Sequence, residues 1–155
     1  MTIHGFLSAT VHKQGQPPKQ LAYMKHNLLV DAGRDQFHTN CYTSTSLSGV
    51  AFNYVAVTEN TAQTINAAQT ALTGEISTNG LARVQATTRT HSAGTNSTTI
   101  EHTYTATGAF TDVVRSATFN ASSTGTMGHF AAFSSGSGTL ATNDTLKITW
   151  TLNLG

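Results

Sequence analysis

At 155 residues the chain is long enough for one domain to bury a core without disulfides or metal as staples. Threonine makes up roughly a fifth of it and charged residues only 10%, against about a quarter in ordinary globular domains. A formal net charge of +1 with no lysine- or arginine-rich stripe excludes an electrostatic nucleic-acid binder, no run approaches the roughly 20 apolar residues of a membrane span, and the single cysteine, Cys41, excludes an intrachain disulfide.

What remains is strand and turn material. Threonine is β-branched and suits a pleated, half-exposed surface, whereas strong helix formers are scarce. A surface made polar by hydroxyls and amides, with few charges, fits a protein whose neighbours cover it in a repeating assembly. The first ten residues hold no basic region leading into a long apolar run, so no export leader is expected and the chain is expected to be made in a cytoplasm. The sequons at Asn96, Asn120 and Asn143 are then chance products of composition.

In chain order, Ile3 to His12 reads as a strand. Lys13 to Gln20 contains adjacent prolines, which remove two donors and impose an extended conformation, so these residues are expected to form an exposed arm that reaches a neighbouring subunit. Gln16, Pro17 and Pro18 on that arm, with the free aromatic Tyr23, are the expected interface residues. One short α-helix is predicted near residues 27–40, capped by Asn27, with Leu28, Leu29, Ala32 and Phe37 near one stripe. From Val50 the periodicity changes to two. Phe52 to Val57, Leu81 to His91, Thr98 to Thr107, Asp112 to Asn120 and Met127 to Phe133 read as strands, and Glu59 to Ala71 as a polar loop. Ser92 to Ser97 suits a hairpin connection; a turn centred near Thr95 sets His91 opposite Thr98 and His102 opposite Thr87, so the two histidines are not cross-strand partners. In the final segment Leu146, Ile148, Trp150, Leu152 and Leu154 alternate with polar residues, which predicts one buried face with Trp150 in the core. About seven strands joined by Gly/Ser/Asn turns predict a single all-β domain over residues 1–155, an antiparallel β-sandwich or jelly-roll-like fold with one helix.

No catalytic, cofactor or metal site is expected. His26, Asp31, Arg34, Asp35 and His38 are the densest reactive set, and on a helix Asp31, Asp35 and His38 could share a face, but zinc and two-metal motifs are spaced more tightly. A solvated face with an Arg34 to His38 neighbour pair explains them as well. His129 lies among small apolar residues, the setting of a hydrogen-bonded core or interface histidine. No Gly-x-Ser-x-Gly elbow or phosphate-binding GxxxxGK[ST] loop occurs, and Gly136-Ser137-Gly138 has no base nearby. Asp112 and Asp144 stand where strands are expected to start, and turn capping accounts for them.

Several blocks, taken in order, resemble a family of small virion proteins of tailed bacteriophages and prophages. They are His26-Asn27-Leu28-Leu29-Val30-Asp31-Ala32-Gly33-Arg34-Asp35, Phe52-Asn53-Tyr54-Val55-Ala56-Val57-Thr58, Leu72-Thr73-Gly74-Glu75-Ile76 with Gly80-Leu81-Ala82-Arg83, Phe119-Asn120-Ala121-Ser122 with Gly125-Thr126-Met127, and Asp144 to Thr151. The resemblance spans roughly residues 26–155, and where the family has a Val-Gly-Thr-Gly turn this chain has Val57-Thr58-Glu59-Asn60. It implies a structural role and carries no catalytic residues. The expectation is a capsid decoration (cement) protein located in the virion, a homo-oligomer, for instance a trimer, that contacts the major capsid protein and neither nucleic acid nor membrane. The alternatives are a tail fibre or tail-tip adaptor, a carbohydrate-binding module on an aromatic face, and last an enzyme.

Overall fold

The structure is a computed structural model that describes residues 3–33 and 51–154. Its strands are β1 (Ile3–His12), β2 (Lys19–His26), β3 (Leu28–Leu29), β4 (Tyr54–Thr58), β5 (Val84–Gln85), β6 (Thr88–His91), β7 (Ser97–Thr105), β8 (Phe110–Val113), β9 (Arg115–Phe119), β10 (Met127–Ala132), β11 (Gly138–Leu140) and β12 (Thr145–Leu154). They form two five-stranded sheets, β2-β1-β12-β7-β6 and β3-β10-β9-β4-β5, and a two-stranded ribbon β11-β8. The fold is an antiparallel all-β sandwich.

The two sheets are built differently, and the sequence explains how. In the first sheet the strands alternate. Leu146, Ile148 and Trp150 on β12 are wholly buried, while Thr145, Lys147, Thr149 and Thr151 between them remain partly exposed. Leu7 on β1 and Ile100 on β7 stand level with Trp150 and continue its inward row. The second sheet carries near-continuous buried runs, with Ser116, Thr118 and His129 among them, because both its faces are covered. Val55 and Val57 point with Trp150 and Tyr104 into the space between the sheets, while Ala56, Ala117, Phe119, Met127 and Phe130 form a second cluster with Val30 and Leu72. That outer layer comes from Val30, just after β3, and from the polar segment after β4, which leads to Leu72. Gln63 holds that segment in shape by donating to Gln69 Oε1 (2.8 Å) and Ala71 O (2.7 Å) and accepting from Thr73 N (2.9 Å). Hydrogen bonds tie the facing sheets as well: Tyr104 Oη donates to Val55 O (2.7 Å) and Trp150 Nε1 to Ser116 Oγ (3.3 Å).

β1 and the Ser92 to Ser97 connection lie where the sequence predicts, and the register of β6 on β7 places His91 opposite Thr98. Three expectations need correction. First, the described strands number twelve instead of about seven. The predicted strands over 81–91 and 112–120 each break where the chain crosses between layers: β5 lies in the second sheet and β6 in the first, while β8 joins the ribbon and β9 the second sheet. Second, Asn27 caps no helix. Asn27 N donates to Gly5 O (2.9 Å), Leu28 and Leu29 pair with Phe130 and His129, and among the described residues the helical backbone begins at residue 31 and covers 31–33. Pairing with β10 satisfies the backbone of Leu28 and Leu29 and overrides their helical spacing. The remainder of the predicted helix, with Arg34, Asp35, Phe37 and His38, lies outside the described residues, as does Cys41. Third, Lys13 to Gln20 is no free arm. Residues 13–18 close the β1–β2 hairpin, Gln16 N donating to Lys13 O (3.2 Å), and Lys19 and Gln20 are already strand, opposite Val11 and Thr10.

A candidate assembly surface on the first hairpin and its sheet

Strand β2 was missed from sequence because Lys19-Gln20-Leu21-Ala22-Tyr23-Met24-Lys25-His26 does not alternate. The structure shows the reason in its pairing with β1, where the register shifts twice. Leu21 is an extra residue between the pairs Ala9–Ala22 and Thr10–Gln20, so Leu21 and Ala22 are consecutive and both wholly buried. Tyr23 and Met24 then face the single residue Ser8, whose hydroxyl accepts from Met24 N (3.0 Å) while Met24 takes a φ of 46°. The result is a step of large apolar side chains on an edge strand: Tyr23 is 72% and Met24 42% exposed.

The four expected interface residues therefore come together on one element, Gln16, Pro17 and Pro18 at its tip and Tyr23 along its edge, and all four are exposed. The tip is steadied by Lys19 Nζ donating to Ser137 O (3.3 Å), and Ser135 N covers part of the outer edge by donating to Leu21 O (2.7 Å). Beside the hairpin the outward face of the first sheet is a field of hydroxyls. Aligned rows carry Ser8, Thr149 and Glu101 with Thr88, then Thr10, Lys147 and Thr103, then Phe6, Thr151 and Thr99 with Thr90. Two charges on that face pair with each other: Lys147 and Glu101 lie 2.9 Å apart, and Thr149 Oγ1 donates to the same carboxylate at 2.9 Å.

The groups weighed for chemistry are otherwise scattered. Asp144 is buried and accepts from Ala141 N (2.8 Å), which is turn capping; Asp112 is instead inside β8. His91 Nδ1 lies 2.9 Å from Ser97 O within its own hairpin. His129 is a core residue, 4% exposed, its Nδ1 3.1 Å from Thr118 Oγ1 and its ring 6.1 Å from that of Trp150. Burial pushes its pKa down to about 4, so the ring is neutral. It borders a cavity of about 280 Å³ at one end of the sandwich, lined by Leu29, Phe52, Ile100 and Leu152 among others. Arg83, paired with Glu75 and laid 3.4 Å over the Phe119 ring, is structural: it also donates to the carbonyls of Ala121 and Thr124 and so anchors that loop. Among the described residues no three His, Cys, Asp or Glu side chains are grouped to hold a metal. One pair joins residues that the sequence kept apart, His4 on β1 and His26 on β2, whose ring nitrogens stand 3.1 Å apart.

Comparison with known proteins adds no relative: no family model, no curated protein and no solved structure matches the chain.

Proposed function

We propose that the chain is a structural protein of a tailed-phage virion, a capsid decoration protein that ties neighbouring subunits together through its first hairpin and the hydroxyl face beside it. The observation that carries this reading is the Tyr23–Met24 step. An aromatic side chain 72% exposed, fixed on a bulged edge strand, is the kind of rigid anchor that protein interfaces bury at their centre. The low charge of the adjacent sheet face lowers the desolvation cost of covering it. The resemblance in sequence blocks supplies the phage context. Self-association, as a trimer for example, and contact with the major capsid protein belong to the same proposal.

Cryo-electron microscopy of purified particles, with immunogold labelling, is the decisive measurement. Many ordered copies on the head are expected. Label confined to the tail would replace the head assignment with a tail adaptor, and absence from particles would overturn the virion reading. Tyr23→Asp should abolish occupancy on particles and leave the melting temperature of the isolated chain unchanged, because the side chain is solvated in the free molecule.

A further inference from the structure

We propose that His4 and His26 form a two-histidine site for a divalent transition-metal ion on the outward face of the first sheet. The two residues lie 22 positions apart and meet only because β1 and β2 pair with Phe6 opposite His26, which sets His4 diagonally beside it. His4 Nδ1 and His26 Nε2 face each other at 3.1 Å, both rings are exposed, and they stand 72° apart in plane with centroids at 5.3 Å. The Phe6 ring, edge-on to His26 at 5.3 Å, supports that ring from the other side.

This separation is what coordination needs. Two imidazole nitrogens each about 2.05 Å from one ion stand roughly 2.9 Å apart at a right angle and about 3.35 Å apart at the tetrahedral angle. The 3.1 Å found here lies between, so an ion fits with a shift of a few tenths of an ångström. A separation of 3.1 Å suits an N–H on one of the facing nitrogens donating to the other. A tautomer change moves that proton to the same ring's outward nitrogen, and both lone pairs then converge on the ion with no net loss of protons from neutral rings. Water fills the remaining coordination positions. The ligand class is therefore an imidazole-seeking ion such as Zn²⁺ or Ni²⁺, not Mg²⁺ or Ca²⁺, which take oxygen ligands. A bound ion would clamp the end of β2 remote from the hairpin turn onto β1, and thereby steady the edge strand that presents Tyr23.

The test is calorimetric titration of the untagged full chain with Zn²⁺ and with Ni²⁺, alongside melting curves. One ion per chain is expected, with a rise in melting temperature that grows with metal concentration. His4→Ala and His26→Ala should each weaken binding at least tenfold and erase the metal-dependent rise, while His12→Ala changes neither and excess Mg²⁺ does not compete. Both substituted side chains are exposed, so the metal-free melting temperatures should match the wild type. Binding that survives His26→Ala, or wild-type chain that takes up neither ion saturably, would overturn the site.

Discussion

Trp150 shows how much one side chain can hold in this fold. It sits at 0% exposure in the middle of the ten-residue β12 and donates to Ser116 Oγ across the sandwich, so Trp150→Ala leaves a cavity and removes a cross-sheet hydrogen bond, while Ser116 Oγ keeps its own donation to Ala56 O (3.0 Å). A loss of about 3–5 kcal/mol is expected from denaturant unfolding, and an unchanged curve would mean that the strand faces the other way. His129 couples the same core to pH. The folded protein holds the ring neutral down to about pH 4, whereas an imidazole in the unfolded chain takes up its proton near 6.5. Between those values the unfolded state binds more protons, so stability is complete above about pH 6.5 and falls on acidification to about pH 4, by on the order of 3 kcal/mol. His102, whose pKa burial also lowers, acts in the same direction. Urea midpoints of the wild type and of His129→Gln at pH 7.5 and 4.5 check this: the variant should lose distinctly less on acidification.

At the scale of elements, the hairpin tip and the turn at Gly80 make opposite predictions. Residues 14–18 are exposed and make few ties to the rest of the molecule, so replacing them by a two-residue Asn-Gly turn should leave the melting temperature within a few degrees of the wild type while lowering occupancy on particles. If the shortened hairpin unfolds the chain instead, the tip belongs to its own subunit's core and the assembly reading loses it. Gly80 has a φ of 83°, and a Cβ there would lie 2.0 Å from Thr105 O, a backbone atom that cannot swing aside. Gly80→Ala should therefore cost about 2 kcal/mol or more, seen as a lower denaturation midpoint. The elements also separate what local pattern can specify from what it cannot. Alternation located β1 and β12 because each has one face in the core and one in water. Leu28 and Leu29 satisfied a helical spacing equally well, and only the open edge of β10 made them strand.

Across the whole molecule, the main core cluster draws on both five-stranded sheets and the ribbon, from Leu7 and Ile148 to Val57 and Val113. No layer keeps its apolar face covered when the other leaves. Urea unfolding followed by the fluorescence of the single tryptophan and by far-ultraviolet circular dichroism should therefore give coincident transitions; separated midpoints would show that one sheet survives alone. The sequence by itself determined the all-β class, the hairpin register at His91, the buried face of β12 and the exposure of Gln16, Pro17 and Pro18, since each follows from local periodicity or from backbone chemistry at proline. The tertiary structure alone decided where strands break to cross between sheets, that two bulges turn an unpatterned octapeptide into an edge strand, and that His4 meets His26. Those outcomes depend on which strands become neighbours, and strand pairing is set by the burial of distant surfaces that no local window contains.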